Sequence, residues 1–492
     1  MYGMMPCRIR NSMYAVFRNL KRARLPLFGP ASFYREALSL AVPVMLQSLI
    51  TGLVSLVDNF MVAGLGDARM AGVNVANQVN FVFLVIINVV CIGGGIFLSQ
   101  HRGAGDKKGM EQAFRFKLVL ASTLSLAYFV LCQLTPQTLL SLMVSPDQRS
   151  AQIVFEGIRY MRAVSFSFVP LALSSAMGSS FRDIGEPRMP LIISTAAALV
   201  NTVGNWALIY GNLGLPRLEV VGAAIATVIA RCVEFVLFSL IIWKRRPLFS
   251  VPMRFILRID WRFFREVLAR SAMMLLSETA WVLSETIITA LYNRRGGAET
   301  VAGMAAGWSI ANLLFLVFPA IHTATNVIVG TTLGADKLDE AKAKARWILS
   351  GSVLFGAAAG LAAVLSAGLI PLVFSNLSDS ARTITRSLLF VIAGYLPLWC
   401  LLNAQFGVSR AGGDTMMGLL VDVGVTYLVF IPAAYLIARY TSWGPVMLFG
   451  VAKISDIFKA MVAAFWLAKG YWVRNLTVWK APAGRSSETE QA

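Results

Sequence analysis

The sequence predicts an all-α membrane protein with twelve transmembrane helices, arranged as two six-helix lobes that an internal parallel repeat relates. Three observations predict this fold: the composition, the series of long apolar runs, and short motifs that recur in the second half of the chain. Of the 492 residues, 57% are hydrophobic and only 14% are charged. That balance is typical of a chain whose helices face lipid rather than water.

Apolar runs of transmembrane length recur along most of the chain. A helix needs roughly 20 mostly apolar residues to cross the ~30 Å hydrocarbon layer of a bilayer. A transmembrane barrel would instead show segments of about ten residues in which apolar and polar positions alternate, and these runs do not alternate. The runs are therefore predicted to be helices. They cover residues 38–66, 70–99, 116–134, 153–178, 189–210, 219–243, 267–292, 300–330, 344–375, 384–408, 416–439 and 444–469.

The basic residues are distributed as in a membrane protein with a defined orientation. The net charge of +19 could by itself suggest a nucleic-acid partner. However, most of the 44 Lys and Arg residues fall in the two tails and in alternate loops, and an excess of basic residues marks cytoplasmic loops. We therefore expect cytoplasmic termini and no nucleic acid. Membrane lipids as partners, a monomeric state and a bacterial inner membrane as the location are separate expectations that the charge distribution does not supply.

The same pattern divides the chain into two lobes, one loop between them and two tails. The inter-lobe loop holds the densest basic cluster, which either is solvated or contacts anionic lipid headgroups. The predicted segments are a basic cytoplasmic N-terminal tail (1–34), an N-lobe with six spans (35–243), a basic cytoplasmic inter-lobe loop (244–266), a C-lobe with six spans (267–469) and a cytoplasmic C-terminal tail (470–492).

Short motifs of the first half recur in the second half in the same order. Two halves of six spans each must have the same orientation in the membrane, so the repeat is parallel. This layout is typical of secondary transporters, whose site lies near the lobe interface, although a channel or a purely structural protein remains an alternative. The motif pairs are REAL at 35–38 with REVL at 265–268, GAGDKK at 103–108 with GADK at 334–337, and RDIGE at 182–186 with RAGGD at 410–414.

Asp58 is the only charged residue of the first apolar run. A charged side chain inside a bilayer costs about 2.5–3.5 kcal/mol on insertion scales, which makes Asp58 a candidate functional residue. At ~1.5 Å per residue, Asn201, Asn205 and Thr227 lie at a similar depth in the fifth and sixth spans. Such a group can bind a proton or hold a monovalent cation through oxygen atoms. The alternative is that these side chains only join helices by hydrogen bonds.

The second half contains different acids. Glu278 and Glu285 lie seven residues apart, within about 20° of each other on an ideal helix. Glu285 falls close to the repeat-equivalent position of Asp58, whereas Asp422 in the eleventh span lies at a depth closer to that of Glu278. The sequence therefore allows a second proton or cation site in the C-lobe.

Two further charged pairs are interpreted as structural. Arg231 and Glu234 lie three residues apart in the sixth span, and Lys453 and Asp456 have the same spacing in the twelfth. Residues at this spacing are neighbours on a helix, so each pair is expected to neutralise itself.

The remaining reactive residue types indicate neither an enzyme nor a cofactor. His101, on a predicted cytoplasmic loop, and His322, in the eighth span, are interpreted as incidental. The five cysteines are scattered and form neither a disulfide framework nor a metal set. The chain has no GxxxxGK[ST] phosphate loop and no HExxH zinc motif. Any transport is therefore expected to draw its energy from an ion gradient.

Several motifs resemble those of the MATE family, the multidrug and toxic compound extrusion transporters. Any one of them is weak, but their order and spacing over residues 35–480 make the resemblance fairly specific. They are AVPVML at 41–46, VDNFMVAGLG at 57–66, GAAIATVIAR at 222–231, SETAW at 277–281, RAGGDT at 410–415 and GYWVRNLT at 470–477.

The resemblance implies a secondary active multidrug efflux transporter. Such proteins export amphipathic or cationic organic compounds by antiport with H+ or Na+ through alternating access. The resemblance places the family's N-lobe carboxylate at Asp58 and the acid of its seventh helix at Glu278. A lipid-linked saccharide flippase of the same superfamily is the nearest alternative, and a membrane-embedded enzyme is a more distant one.

The resemblance also directs attention to the tenth helix. The sodium-coupled branch of the family has an aspartate where this chain has Trp399, one turn after Tyr395. Some members also carry an aspartate at the position of Asn205. Four aromatic or polar side chains of the second half are expected to line the substrate cavity: Trp281, Tyr395, Trp399 and Asn403.

Overall fold

A computed structural model describes residues 26–143, 150–295 and 297–478 of the chain. Within these ranges the chain is helical apart from turns and short connections, and no β-strand occurs there. The prediction of an all-α fold is confirmed. Parts of both predicted tails lie outside the described residues.

The N-lobe contains six long helices. The fourth is interrupted by the 3₁₀ turn Ser165–Ser167, and a short helix, Pro136–Ser141, follows the third. The helices are α1 (Ala31–Ala63), α2 (Asp67–Gly103), α3 (Lys107–Leu134), α4 (Ser150–Val164 and Phe168–Asp183), α5 (Arg188–Tyr210) and α6 (Glu219–Arg245).

The C-lobe repeats this series with more interruptions. Its eighth, eleventh and twelfth spans are divided, the ninth continues through a 3₁₀ turn (Ala367–Leu369) into the short helix Ile370–Val373, and the middle part of the eleventh is a π-helix. The helices are α7 (Trp261–Asn293), α8 (Ala298–Leu314 and Val317–Gly334), α9 (Leu338–Ser366), α10 (Asp379–Ala411), α11 (Met416–Leu419, Leu420–Phe430 and Ile431–Tyr440) and α12 (Pro445–Ala452 and Ser455–Ala468).

Eleven of these twelve spans, counted together with their short interruptions, are long and apolar enough to cross a membrane. The last, α12, is divided at Lys453 and Ile454 into helices of 8 and 14 residues, each shorter than a full crossing. The predicted twelfth run is therefore present as two successive helices.

The repeat appears in the backbone as matched helix ends. After α2, Gly105 adopts a left-handed conformation with φ 69°, and after α8 Asp336 does the same with φ 60°. Gly185 after α4 and Gly413 after α10 form a second matched pair, with φ 76° and 73°. In each turn the next amide donates to a carbonyl five residues earlier, which closes the last helical turn. The motifs that revealed the repeat therefore encode the same helix terminations in both lobes.

The two lobes contact each other along α2 and α8. In addition, α2 packs against α7, and α8 packs against α1. Near the ends of α2 and α8, Gly103 faces the backbone of Thr331 and Gly334 faces the backbone of Gln100. A Cβ atom at either glycine would overlap those atoms. The lobes are therefore closed against each other at this end because two glycines allow the backbones to meet.

Polar contacts support the same interface. Asn326 of α8 donates to Asp183 Oδ1 of the N-lobe at 3.0 Å, and Ser99 donates to Asn326 Oδ1 at 3.2 Å. Gln100 of α2 donates to the carbonyl of Ala411 at the end of α10, at 2.7 Å. Hydrogen bonds as well as close packing therefore join the lobes here.

Replacing either glycine of the interface by alanine should loosen it. The added methyl group overpacks a backbone contact, and we expect Gly103→Ala or Gly334→Ala to destabilise the closed arrangement by about 1–3 kcal/mol. A cysteine introduced as Ser99→Cys, at a fully buried position of α2, should then react faster with a water-soluble maleimide. Gly394→Ala is the control, since its Cβ would meet no atom within 4 Å. Equal labelling rates in all three variants would contradict the role given to these glycines.

Candidate functional site

Each lobe encloses a cavity between its helices. The N-lobe cavity has a volume of about 300 Å³ and is lined by α1, α2, α4, α5 and α6. The C-lobe cavity is larger, at about 800 Å³, and is lined by α7, α8, α10, α11 and α12. A cavity of about 300–1,000 Å³ accommodates a small organic ligand, so the C-lobe cavity has ample room for one.

The four residues that depth counting grouped in the sequence come together at the N-lobe cavity, where Asp58, Asn201 and Thr227 line the wall and Asn205 lies behind it. Asn205 Nδ2 donates to Asp58 Oδ1 at 2.6 Å. With its amide nitrogen facing Asp58, Asn201 lies 3.1 and 3.0 Å from the two carboxylate oxygens. The other end of the Asn201 amide lies 3.4 Å from Thr227 Oγ1. Two amides from α5 therefore hold one carboxylate from α1, and the hydroxyl of Thr227, which donates to the carbonyl of Ala223, lies beside one of them.

One acceptor of this group has no partner. Asn205 is only 1% exposed, and its Oδ1 accepts no hydrogen bond from any described residue. A buried oxygen without a donor is unusual in proteins and costs free energy unless something binds it. Beside a carboxylate, such an oxygen is suited to receive a proton donor or a cation.

A second polar chain crosses the same cavity. Arg231 forms an ion pair with Glu234 at 2.7 Å, which confirms the pairing predicted from their spacing. Glu234 also accepts from Ser194, and Ser194 accepts from Gln47, each at 2.9 Å. Gln47 Oε1 in turn accepts from Arg182 at 3.3 Å. The N-lobe cavity is therefore a hydrogen-bonded polar pocket rather than an apolar one.

The C-lobe cavity has aromatic walls. Three of the four predicted cavity residues line it: Trp281, Trp399 and Asn403. Tyr395 is not among the lining residues, because its ring stacks on Trp399 with centroids 5.6 Å apart and its hydroxyl donates to the carbonyl of Gly450. Tyr395 therefore supports the wall that Trp399 forms. Further aromatic lining residues are Tyr292, Trp308, Phe315, Phe318, Phe406 and Phe430.

All three predicted acids of the second half line this cavity. Glu278 pairs with Arg410 at 2.8 Å, and Glu285 pairs directly with Lys453. Asp422 accepts from Ser277 Oγ at 2.6 Å. The structure thus places these acids in one cavity, separate from the Asp58 group in the other lobe.

The predicted pairing of Lys453 with Asp456 is wrong. Lys453 lies at the break that divides α12, so the helical spacing behind the prediction does not hold there. Lys453 pairs with Glu285 of α7 instead, and Asp456 accepts from Trp399 Nε1 at 2.8 Å.

Sequence reasoning missed several residues of the C-lobe cavity. Arg410 lies just beyond the predicted tenth run, 384–408, but the structure buries it in the last turn of α10. Lys459 was not singled out, although it is a charged residue inside the last apolar run and lies three residues after Asp456. His322 lines the cavity and its Nε2 lies 3.0 Å from Asn403 Oδ1. The signal for Lys459 was the same as for Asp58, namely a charge within a predicted span.

The assignment of His101 to a loop is also wrong. His101 is buried in the last turn of α2, and its Nδ1 lies 2.9 Å from Asp106 Oδ2. It belongs to the end of the helix and not to either cavity. Among the described residues, no group of three or more His, Cys, Asp or Glu side chains could hold a metal ion.

These features define a class of protein. Two repeated helical lobes, each with a polar or charged cavity inside the membrane-spanning bundle, form the architecture of a membrane transporter. A family model, MatE, matches residues 43–207 and 274–436, one segment in each half of the chain. The chain therefore belongs to the MatE family, whose members are transporters and not enzymes.

Curated relatives cover nearly the whole chain. "Probable multidrug resistance protein NorM" of Thermotoga maritima is 23% identical over 465 residues, 93% of this chain and 96% of that protein. The NorM protein of Geobacillus kaustophilus is 28% identical, over 68% of this chain and 72% of its own length. Multidrug resistance protein PmpM of Pseudomonas aeruginosa is 23% identical, over 83% of this chain and 84% of its own length.

Solved structures share the fold. A crystal structure of a MATE protein in complex with MaL6 matches with a TM-score of 0.80 at 18% identity, over 92% of this chain and 98% of that chain. The outward-facing conformation of a multidrug resistance MATE family transporter of the MOP superfamily matches with a TM-score of 0.79 at 19% identity, with the same coverage. The predicted twelve-span, two-lobe architecture is thus confirmed.

The ion pair between Glu278 and Arg410 should stabilise the C-lobe. Removing Arg410 leaves the half-buried carboxylate of Glu278 without its charged hydrogen-bond partner, so we expect Arg410→Met to lower the free energy of unfolding by about 1–3 kcal/mol. The double variant Arg410→Met with Glu278→Gln should recover part of this loss, because it removes both charges. Thermal unfolding of the purified protein in detergent measures both effects.

The matched control for that experiment is Glu266→Gln. Glu266 pairs with Arg270 near the start of α7, where it is exposed, so its removal should change stability by no more than about 0.5 kcal/mol. If the double variant is as unstable as Arg410→Met alone, the loss of stability does not come from breaking the ion pair between Glu278 and Arg410.

Proposed function

We propose that this protein exports amphipathic or cationic organic compounds in exchange for H+ or Na+. The observation that carries the proposal is the Asp58 group, a carboxylate in the membrane-spanning bundle held by two amides beside an unpartnered carbonyl oxygen. The relatives named multidrug resistance proteins support the substrate class. The aromatic C-lobe cavity, with room for a small organic molecule, is consistent with it.

The Asp58 group has the chemistry for either coupling ion. A proton on Asp58 would make the carboxyl a donor, and rotation of the Asn205 amide would turn its free Oδ1 toward it. A sodium ion would instead be held by oxygens of Asp58, Asn201, Asn205 and Thr227. In both cases the incoming cation neutralises Asp58 and relieves the unpartnered oxygen.

Coupling requires that the ion distinguish two arrangements of the lobes. An ion with equal affinity for both arrangements would not shift the equilibrium between them, however tightly it binds. In the proposed cycle, an ion entering from outside neutralises Asp58, the outward-facing cavity loses affinity for substrate, and the lobes rock inward. The ion gradient thereby supplies the free energy for substrate release outside.

A flippase for lipid-linked saccharides fits the C-lobe cavity less well. Three basic side chains line the cavity, namely Arg410, Lys453 and Lys459. Four acids line it as well, so the described cavity carries no excess of positive charge for a pyrophosphate. The acids are Glu278, Glu285, Asp422 and Asp456.

The proposal includes a multi-pass protein of a bacterial inner membrane with both termini in the cytoplasm, acting as a monomer. The excess of basic residues in the tails and alternate loops supports this orientation, and the relatives cited above are bacterial proteins. A green fluorescent protein fused to the C-terminus should fluoresce, since it folds in the cytoplasm and not after export. A dark but stably expressed fusion would contradict the orientation.

Replacing Asp58 by asparagine should abolish coupling. Asp58→Asn keeps the shape of the side chain but removes its charge, so the group has nothing for a cation to neutralise. We expect a loss of about tenfold or more in the rate of dye efflux, equivalent to about 1.4 kcal/mol. Efflux of a cationic dye from expressing cells gives the measurement. Asp67→Asn, an exposed carboxylate at the start of α2, should leave efflux unchanged, and unchanged efflux with Asp58→Asn would refute the assignment.

Separate ion gradients should identify the coupling ion. In inverted vesicles, a pH gradient or a sodium gradient is imposed alone, and dye uptake is recorded for the native chain and for Asp58→Asn. The native chain should respond to one gradient, and the variant should lose that response. Uptake by the native chain that depends on neither gradient would contradict antiport, whereas uptake driven by ATP alone would contradict secondary transport as a class.

A further inference from the structure

The loop between α6 and α7 carries a dense basic cluster beside two membrane-spanning helices. Residues 244–262 contain six Lys or Arg residues and a single acid, Asp260. The apolar run before the loop ends at residue 243, and the next run begins at residue 267. The loop therefore starts and ends where lipid headgroups meet water. Basic clusters at this position suit anionic lipid, although a solvated loop can have the same composition.

The loop is fixed to the N-lobe rather than free in solvent. Phe249 is 0% exposed and packs against Phe114 of α3 and Phe181 of α4, with ring centroids 4.8 and 5.3 Å apart. Further along the loop, the carbonyl of Arg258 accepts from Arg115 Nη1 of α3 at 3.2 Å. The backbone that presents the basic side chains is therefore held in one place.

Two arginines of the loop contact the same aromatic ring. The guanidinium carbon of Arg254 lies 4.7 Å from the centroid of the Phe255 ring, and that of Arg258 lies 4.6 Å from it. Two positive charges against one ring repel each other, and an anion that binds beside them relieves this repulsion. Guanidinium groups bind phosphate oxygens through paired hydrogen bonds, so a phosphate group is the anion that fits them.

The acids near these arginines are engaged elsewhere. Asp260 caps α7, since its Oδ1 accepts from two amides of the first turn of that helix at 2.9 and 3.4 Å. Glu111 and Glu266 form ion pairs within α3 and α7, at 3.2 and 2.8 Å. Within the described part of the chain, neither Arg254 nor Arg258 pairs with a carboxylate. Both charges are therefore left for a ligand from outside the protein.

Large apolar side chains project beside these charges. Leu257, which lies between the two arginines in the sequence, is 81% exposed. Trp243 near the end of α6 is 76% exposed, and Trp261 at the start of α7 is 72% exposed. Tryptophan is enriched where the apolar core of a membrane meets the headgroups, and apolar side chains next to basic ones are typical of surfaces that lie on a membrane. A soluble anion would leave these side chains in water, whereas a lipid surface would bury them.

We propose that the inter-lobe loop docks on the membrane surface by binding anionic phospholipid. The lipid phosphates bind Arg254 and Arg258, and the side chains of Trp243, Leu257 and Trp261 enter the headgroup region. In the orientation proposed above, this surface faces the cytoplasmic leaflet. The inference goes beyond the proposed function, because it concerns the surrounding membrane and not the exported compound.

A matched pair of lipids tests this surface. Phosphatidylglycerol is anionic and phosphatidylcholine is zwitterionic, and both are used with the same fluorescent acyl chain. Their binding to the delipidated full-length protein in an uncharged detergent is followed by fluorescence polarisation. The native chain should prefer phosphatidylglycerol, and added NaCl should reduce the preference. We expect Arg254→Gln combined with Arg258→Gln to weaken binding of phosphatidylglycerol by about tenfold or more, and binding of phosphatidylcholine by less than about twofold.

Three further variants separate charge, position and apolar contact. Arg254→Lys with Arg258→Lys keeps both charges and should keep most of the preference for the anionic lipid. Arg386→Gln with Arg439→Gln removes two exposed arginines of α10 and α11, so it has the same net charge as the first double variant and should bind both lipids as the native chain does. Leu257→Gln changes no charge and should weaken binding of phosphatidylglycerol by about twofold or more.

Folding of the variants is checked by thermal unfolding. The hydrogen bond that holds the loop to α3 uses the carbonyl of Arg258 and not its side chain, so the substitutions at this position should leave the loop in place. The dependence of lipid binding on NaCl is measured on the native chain and needs no variant.

Several outcomes would overturn the proposal. The native chain could bind both lipids equally, or the first double variant could bind phosphatidylglycerol as tightly as the native chain. Displacement of the fluorescent lipid by inorganic phosphate, with no effect of Leu257→Gln, would show a site for a soluble anion instead of a membrane surface. Dye efflux and its dependence on Asp58 are measured in separate experiments, so the proposed function stands or fails independently of these results.

Discussion

The free-energy cost of burying charged side chains away from water determines which polar partners surround them in both lobes. Moving a charged side chain into the bilayer is expensive unless a partner compensates it. In the C-lobe cavity this compensation comes from opposite charges, as in the pairs of Glu278 with Arg410 and of Glu285 with Lys453. Asp58 differs, because its direct partners are amides. An amide donates a hydrogen bond but cancels no net charge, so the negative charge of Asp58 has no direct ion-pair partner.

The two lobes of the internal repeat share the same helix ends, but the residues that line their cavities differ. The left-handed turns at Gly105 and Asp336, and at Gly185 and Gly413, end equivalent helices in the same way. The cavities nevertheless differ in size and in character, since one is a small polar pocket and the other a large aromatic chamber with charged groups. Backbone turns depend on a few local residues, whereas cavity chemistry depends on single inward-facing side chains. The side chains that line a cavity can therefore change without disturbing the backbone turns.

The sequence predicted the fold and the N-lobe group because both follow from local geometry. A constant rise per residue places Asp58, Asn201 and Asn205 at one depth, and their contacts are as expected. The same arithmetic failed for Lys453, because it assumed an unbroken helix and α12 is divided at that residue. Of the two acids near Lys459, Asp456 lies three residues earlier on the same helix, whereas Asp422 reaches Lys459 from α11 and could not be read from spacing. Such contacts depend on how neighbouring helices are rotated and packed against each other. Counting residues along each span gives no information on that packing.

The eighth span connects the C-lobe cavity to the joint between the lobes. His322 lines the cavity, and Asn326, one helical turn further along α8, donates to Asp183 of the N-lobe. Asp183 is in turn the acid that Lys117 neutralises. Spatial continuity alone is not coupling, which requires an element with two arrangements that both sites bias. Here the closed arrangement uses the hydrogen bond between Asn326 and Asp183, and separating the lobes must exchange it for water. The hydrogen bond between Asn326 and Asp183 is therefore present when the lobes are closed and lost when they separate. A ligand in the cavity that displaces α8 acts directly on this hydrogen bond.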